Sequence, residues 1–181
     1  RSRQLVFSAL LHDIGKPVTA ATDENGRIRF NRHANIGADM ARVIMRRLRF
    51  SNDDINAVTH CVGNHMRFVD ATRMKSSTMR KFVGSSTFPI ELELHRLDCL
   101  ASHGKLDTYG YIQDFQKSLA EEPVLPRAWI TGRDLLDLGL EEGKAIGDCL
   151  QRAYDAQLEG RFDSRESLLQ WLQNEIQAKD T

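Results

Sequence analysis

The chain has 181 residues, of which 41% are hydrophobic and 28% are charged. This length suits one large domain or one domain with a small appendage, and the composition is ordinary for a globular protein. The 25 basic and 25 acidic residues cancel, so bulk charge does not indicate a nucleic-acid binder, and no apolar run is long enough to span a membrane.

The cysteines and the first residues indicate the cellular setting of the chain. Cys61, Cys99 and Cys149 are far apart and form no CxxC pair. Reduced, buried thiols fit this pattern, and with no signal peptide the sequence predicts a cytoplasmic protein without a membrane partner. The chain begins at Arg1 and enters an apolar pattern at once, which predicts a fragment of something longer.

Apolar residues recur with a period near 3.6 along most of the chain, which predicts an all-α fold. Helices are predicted at about 2–14, 34–49, 52–68, 75–83, 89–104, 110–120, 132–138, 143–157 and 164–178. Gly15 and Pro17 are predicted to end the first helix. One short β-hairpin is predicted over 18–30, because Asn25-Gly26 is a turn signal between two β-prone segments, Val18-Thr19 and Ile28-Arg29-Phe30.

Two prolines, Pro123 and Pro126, interrupt the helical pattern. They predict a main helical domain over 1–120, a linker over 121–130 and a small helical C-terminal domain over 131–181. Thr131 and Ser164 are predicted helix N-caps in the small domain. Its apolar stripes are predicted to form its core.

Histidines and aspartates interrupt the apolar faces of four predicted helices. His12 and Asp13 follow two adjacent stripes of the first helix, Leu5 with Ala9 and Val6 with Leu10. Unsatisfied polar groups on an inward face cost free energy, and a divalent metal would satisfy them.

The other three candidates lie further along the chain. His33 shares a predicted face with Ile36, Met40, Ile44 and Leu48, and Gly37 would allow a neighbouring helix to approach. His65 continues the stripe of Ile55, Val58, Val62 and Val69, whereas His60 falls on a polar face. Asp98 interrupts the stripe of Leu94, Leu97 and Ala101, and His95 lies one turn before it, where it would orient Asp98 or contact substrate. Each residue taken alone also fits a hydrogen-bonded core residue, so the pattern leaves a metal site and structural roles both open.

An ordered set of motifs resembles the HD superfamily of metal-dependent phosphohydrolases. The set is His12-Asp13-Ile14-Gly15-Lys16-Pro17, His33 with Gly37, Asn64-His65-Met66 and Asp98. The hairpin ending at Phe30, the segments Arg47–Phe50 and Leu97–Gly104, and the C-terminal Thr131–Leu136 and Gln157–Gly160 look like the HD and tail region of bacterial tRNA nucleotidyltransferases and poly(A) polymerases. The resemblance therefore implies an HD helical bundle followed by a small helical tail.

The resemblance implies a divalent metal, Mg, Mn, Ni or Fe, held by His12, Asp13, His33, His65 and Asp98, with Asp13 bridging two positions. It implies phosphodiesterase or phosphatase chemistry on nucleotide or RNA-end phosphates, with Asp13 and Lys16 as catalytic residues. HD domains usually carry one more histidine ahead of the His-Asp pair, and the eleven residues before His12 contain none. The nucleotidyltransferase head of that family is absent as well, and Gly84-Ser85-Ser86 is predicted to be a helix-ending loop.

Basic residues predict a second, different role. Arg42, Arg46 and Arg49 share one helical face, and a further group comprises Arg67, Arg73, Lys75, Arg80 and Lys81. These groups suit phosphate contacts to RNA, for which the resemblance implies the tRNA 3′ region, although with zero net charge a solvated face is the commoner role of such residues. The alternatives are thus a metal-dependent hydrolase, a non-catalytic RNA-binding module of a nucleotidyltransferase, and a free-standing HD protein. The C-terminal tail argues against the last of these.

Overall fold

The computed structural model describes residues 2–178, and these residues form helices with one short hairpin. The elements are α1 (Arg3–Leu11), α2 (Lys16–Thr19), β1 (Ala20–Thr22), β2 (Ile28–Phe30), α3 (His33–Arg47), α4 (Asn52–Asn64), a 3-10 helix (His65–Arg73), α5 (Ser76–Val83), α6 (Phe88–Ser102), α7 (Asp107–Ser118), α8 (Gly132–Asp137), α9 (Lys144–Leu158) and α10 (Arg165–Gln177). The predicted all-α class with one hairpin is confirmed. None of the helices within 2–178 is both long and apolar enough to cross a membrane.

The chain divides into two compact units. The first comprises residues up to Thr72 together with Ser85–Lys117, and the second comprises Arg73–Gly84 together with the chain from Ser118 onward. Helix α5 therefore groups with the C-terminal helices, whereas the sequence placed it in the main domain over 1–120. Its partner in the second unit is α9.

In the first unit, α4 packs against α1 and α3, and α1 also packs against α6. The core between these helices contains Leu11, Ala41, Met45, Ile55, Val58 and Val62. Ser51 caps α4 by accepting a hydrogen bond from the Asp54 N–H, as expected for a serine at this position. The apolar side of α4 thus faces two helices at once.

Several predicted apolar stripes are rotated in the structure. Val6 and Leu10 of α1 are 50% and 71% exposed, and the buried residues of that helix are Ser8 and Leu11. Leu48 and Val69 are also exposed, so the predicted faces of α3 and α4 are wrong at their C-terminal ends. The reason is local geometry, because α3 stops at Arg47 and α4 tightens into a 3-10 helix from His65.

The start of the hairpin also differs from the prediction. Helix α1 ends at Leu11, and Gly15 lies before a second short helix that contains Lys16, Pro17, Val18 and Thr19. Proline fits the first turn of a helix, so Pro17 begins this turn and does not merely prevent continuation. The first strand is Ala20–Thr22, paired antiparallel with Ile28–Phe30, and Gly26 has the positive φ of the predicted turn.

The second unit has its own core, formed by Ile130, Leu135, Cys149, Ala153, Ala156, Leu168 and Leu172. The predicted core stripes of α9 and α10 are therefore confirmed. Thr131 donates from its N–H and its hydroxyl to Asp134 Oδ2, both at 2.8 Å, and Ser164 accepts from the Ser167 N–H. Both predicted N-caps are present. Gly84 ends α5, as predicted for the Gly84-Ser85-Ser86 loop.

Candidate metal centre

His12 and Asp13 lie on the turn that follows α1. His12 Nδ1 lies 2.9 Å from the carbonyl oxygen of Ala9, and the His12 side chain is largely buried. The Asp13 side chain is about one-third exposed, and its Oδ2 lies 3.4 Å from His12 Nε2. The end of α1 therefore presents an imidazole and a carboxylate side by side.

Two further histidines meet Asp13 from other elements. His33 is the first residue of α3, and His65 is the first residue of the 3-10 helix after α4. Their Nε2 atoms lie 3.6 and 3.7 Å from Asp13 Oδ1 and 3.1 Å from each other. The ligand atoms of Asp13, His33 and His65 all lie within 4.8 Å of one another, which suits a single metal ion.

The three histidine rings are held in the same way. Each Nδ1 lies 2.7–2.9 Å from the carbonyl oxygen of the residue three positions earlier, which is Ala9, Phe30 or Val62. A carbonyl oxygen only accepts, so Nδ1 carries the proton and Nε2 offers its lone pair to the centre. Carbonyl bonds of this kind orient metal-binding histidines in proteins.

The nitrogen lone pairs of His33 and His65 face each other, and this arrangement indicates whether a cation fits the site. With both Nδ1 atoms donating to carbonyls, neutral His33 and His65 cannot form a hydrogen bond across the 3.1 Å between their Nε2 atoms. Burial lowers the pKa of His65, which favours its neutral ring. A divalent cation accepted by both lone pairs and by the Asp13 carboxylate resolves this arrangement, so the residues present fit a metal.

His12 and Asp98 extend the cluster on the other side of Asp13. His12 Nε2 lies 3.5 Å from Asp98 Oδ1, and the Asp98 side chain, carried by α6, is about half exposed. The structure therefore brings together all five predicted ligands, with Asp13 between two groups. The compact three-residue group contains Asp13, His33 and His65.

Lys16 lies beside the same carboxylate. Its Nζ is 2.5 Å from Asp13 Oδ2 and 5.6 Å from the centre of the Phe30 ring. Burial acts to raise the pKa of Asp13, but the hydrogen bond from Lys16 and the charges of the neighbouring His12, Lys16 and His65 outweigh it and hold this pKa below its usual value. Asp13 is therefore kept as a carboxylate.

Gly15 allows the His-Asp turn to approach α3. A Cβ on Gly15 would lie 2.2 Å from the His33 carbonyl oxygen and 2.8 Å from the Gly37 nitrogen. Any other residue would push the two segments apart. The His-Asp turn and the start of α3 can lie this close because Gly15 lacks a side chain.

The two remaining candidate histidines lie outside this cluster. The His60 side chain is 44% exposed, and its Nε2 lies 3.3 Å from Oε1 of the buried Glu91. His95 stacks on Phe68 with ring centroids 4.3 Å apart, and its ring nitrogens lie near the Cys99 sulfur. The buried Glu91, which is the partner of His60, was not among the predicted site residues, because no periodic signal predicts a fully buried glutamate.

The predicted basic residues differ in their burial and in their ion pairs. Arg42 is half-buried, Arg46 and Arg49 are exposed, and none of the three pairs with a carboxylate within residues 2–178. Arg67 is half-buried in the 3-10 helix. In the second unit, Arg80 is buried and bonds to Glu122, and Lys81 bonds to Asp155. Arg80 and Lys81 are thus ion-pair partners within the second unit, and their contact with phosphate stays a prediction.

The fold and its cluster define a helical-bundle protein in which histidines and aspartates from several helices meet at one site. Comparison with known proteins gives the family, because the family model for the HD domain matches residues 1–125. The chain therefore belongs to the HD domain family.

Two curated relatives match most of the chain. The CC-adding tRNA nucleotidyltransferase of Thermus thermophilus is 32% identical over 173 residues, covering 91% of the chain and 39% of that protein. The A-adding tRNA nucleotidyltransferase of Deinococcus radiodurans is 30% identical over 167 residues, covering 86% of the chain and 38% of that protein. The chain thus spans about two fifths of the length of these relatives. No solved structure matches the chain.

Proposed function

We propose that this region is a metal-dependent phosphohydrolase that acts on nucleotide or RNA-end phosphates, within a protein of the tRNA nucleotidyltransferase type. The observation that carries the proposal is the convergence of Asp13, His33 and His65, with their ligand atoms within 4.8 Å. Membership of the HD domain family supports it. The greater length of the two relatives supports a nucleotidyltransferase domain ahead of this region in the full-length protein.

In this proposal Asp13, His33 and His65 would hold one divalent ion. His12 and Asp98, together with Asp13, would hold a second. The ion, which is Mg, Mn, Ni or Fe, would supply Lewis acidity that polarises phosphate oxygens and acidifies water.

The protein groups around this position have separate tasks. The carbonyls of Ala9, Phe30 and Val62 hold the imidazole rings in place. Lys16 keeps Asp13 ionised, and its partly exposed ammonium offers a positive charge to a phosphate oxygen. In the hydrolysis, water adds to phosphorus, one P–O ester bond breaks, and the leaving oxygen takes a proton.

The test is metal content together with chelator-sensitive turnover. The protein is assayed with a generic aryl phosphodiester and with 2′,3′-cyclic AMP in the presence of Mn²⁺, Ni²⁺ or Mg²⁺. We expect turnover that a chelator abolishes and that Asp13→Ala lacks. Asp114→Ala is the matched control, because Asp114 is an exposed aspartate of α7 that pairs with Lys117. Metal-dependent turnover that survives in Asp13→Ala contradicts the proposal.

A second candidate function is binding of RNA, with the tRNA 3′ region as the proposed ligand. The observation that favours it is three arginines without a carboxylate partner within 2–178: Arg42 and Arg46 lie one turn apart on α3, and Arg49 lies just beyond its end, so the predicted single helical face does not extend to Arg49. The printed names of the relatives, both tRNA nucleotidyltransferases, support this ligand. Arg67 belongs to the same proposal because it lies two residues after His65 on the 3-10 helix.

Salt dependence tests this candidate. Each phosphate contact removed should reduce the slope of log K against log salt by about 1. We expect tRNA binding that is insensitive to chelator, and a shallower slope when Arg42, Arg46 and Arg49 are changed to Gln. The control is Arg133→Gln, which removes an arginine of the second unit that pairs with Asp137. Equal slopes for both variants and the parent would exclude this surface.

A further inference from the structure

A pocket of about 250 Å³ lies in the first unit, which also contains the candidate metal centre. The residues that matter for its chemistry are Phe68, His95, Cys99, His103, Lys105 and Asp107. None of these residues belongs to the Asp13, His33 and His65 group. The pocket is smaller than a typical drug-sized site and suits one portion of a larger ligand.

Two elements that line the pocket also carry residues of the metal centre, His65 and Asp98. Phe68 lies one turn beyond His65 on the 3-10 helix. His95 lies one turn before Asp98 on α6, and Cys99 follows Asp98 directly. One helical turn advances about 5–6 Å, so the pocket begins roughly one turn away from the cluster along both elements. A substrate whose phosphate occupies the centre would extend into it.

His95 is a neutral polar group on the wall of this pocket. Its ring stacks on Phe68 at an interplanar angle of 6°, and the Cys99 sulfur is the partner of its nitrogens within residues 2–178, at 3.6 and 3.7 Å. Burial lowers the pKa of His95, with the charge of Asp98 opposing this. A thiol is a weak hydrogen-bonding group, so the imidazole keeps its capacity to bind a polar ligand.

Two further residues of the pocket lining, His103 and Lys105, offer hydrogen-bond donors. The Lys105 N–H donates to His103 Nδ1 at 3.1 Å, so His103 Nδ1 accepts and its Nε2 bears the proton. The Lys105 ammonium pairs with no carboxylate within residues 2–178. Asp107 also lines the pocket and lies in the first turn of α7. Lys105 therefore remains free for an incoming anion.

We propose that this pocket binds a second phosphate group of the substrate, one nucleoside away from the phosphate that reacts. The proposal rests on the proposed function and narrows its substrate class. The preferred substrate is then an RNA end, or a nucleotide phosphorylated at both its 5′ position and its 2′,3′ positions. A nucleoside 2′,3′-cyclic phosphate without a 5′ phosphate is the poorer substrate.

The test compares two substrates that differ only in the second phosphate. They are 2′,3′-cyclic AMP and its 5′-phosphorylated form, assayed for kcat/KM. A charge-assisted hydrogen bond to phosphate should favour the 5′-phosphorylated substrate by roughly tenfold or more. Lys105→Ala should remove this preference and Lys105→Arg should keep it, with 2′,3′-cyclic AMP turned over as before in both. Asp107→Asn should increase the preference, because it removes the carboxylate that repels the second phosphate.

Lys117→Ala is the matched control, because Lys117 is an exposed lysine of α7 that pairs with Asp114. Equal kcat/KM for the two substrates, or a preference that survives in Lys105→Ala, overturns the inference and leaves the proposed hydrolase intact.

If neither substrate is turned over, the proposed function fails and binding decides the inference. The same two compounds are then titrated while the His95 and His103 ring signals are followed by NMR. Tighter binding of the 5′-phosphorylated compound that is lost in Lys105→Ala supports the second-phosphate pocket. Equal binding overturns it.

Discussion

The Nε2 atoms of His33 and His65 lie 3.1 Å apart, and the Nδ1 atom of each ring is already engaged by a main-chain carbonyl. Two neutral imidazoles held in this way face each other with lone pairs, which repel unless a proton or a cation lies between them. Asp13 Oδ1 lies 3.6 and 3.7 Å from the two nitrogens. Two facing lone pairs and one carboxylate therefore favour a cation at this site.

Removing one of these rings should weaken metal binding more than any change in its surroundings. Loss of a group that only supports a ligand typically costs 10- to 100-fold in affinity, so His33→Ala should exceed about 100-fold. Isothermal titration with Mn²⁺ or Ni²⁺ measures the change. The control is His60→Gln, which keeps a donor for Glu91 and lies outside the cluster. Equal affinities for the two variants would show that His33 is not a ligand.

Gly15→Ala should destabilise the first unit. The added methyl group would lie 2.2 Å from the His33 carbonyl oxygen, so the His-Asp turn or α3 must shift, at a cost of roughly 2–3 kcal/mol. Urea unfolding measures the free energy of unfolding. Gly110→Ala is the control, because that position lies within α7 with nothing within 4 Å of an added Cβ. Alanine there should stabilise by about 0.5–1 kcal/mol. A Gly15→Ala variant as stable as the parent would contradict the close approach.

His95 should make the protein less stable in acid. Its pKa is lowered in the folded state, mainly by burial, so the unfolded chain binds more protons at this position. The stability associated with the neutral ring is therefore present above the ordinary histidine pKa of 6.5 and is lost as pH falls through that value towards the lower folded pKa. The midpoints of urea unfolding are measured from pH 7.5 to 5 in the parent and in His95→Phe. The midpoint of the parent should fall relative to that of His95→Phe as the pH decreases. Parallel curves would contradict the assignment.

Asp134→Ala should weaken the start of α8. The Asp134 carboxylate accepts from the N–H and hydroxyl of Thr131 and from Arg165, at 2.6–2.8 Å. Loss of a helix-start interaction of this kind costs about 1 kcal/mol. Asp137→Ala is the control, because Asp137 makes an exposed pair with Arg133 within α8, worth about 0.2–0.5 kcal/mol. Thermal unfolding of the two variants compares them, and equal losses would show that the Thr131 interaction contributes nothing.

Local chemistry explains what could be predicted from the sequence. Helix periods, the Asn25-Gly26 turn and the Thr131 and Ser164 caps depend on residues a few positions apart, and all of these are present in the structure. The motifs around His12-Asp13, His33, His65 and Asp98 led to the HD family, which the family match confirms. The domain boundary at 121–130 stays a prediction, as do the roles of the site residues.

The sequence by itself determined the all-helical class, the hairpin and the residue types available for a metal, since these follow from local periodicity and side-chain chemistry. Only the tertiary structure decided that Val6 and Leu10 are exposed, that Arg80 and Lys81 pair internally, and that the His33 and His65 nitrogens meet at Asp13. The physical reason is that a helix with apolar residues around much of its surface does not specify which side is covered. That choice depends on neighbouring helices distant in the chain, and on Gly15, which lets the His-Asp turn lie against α3.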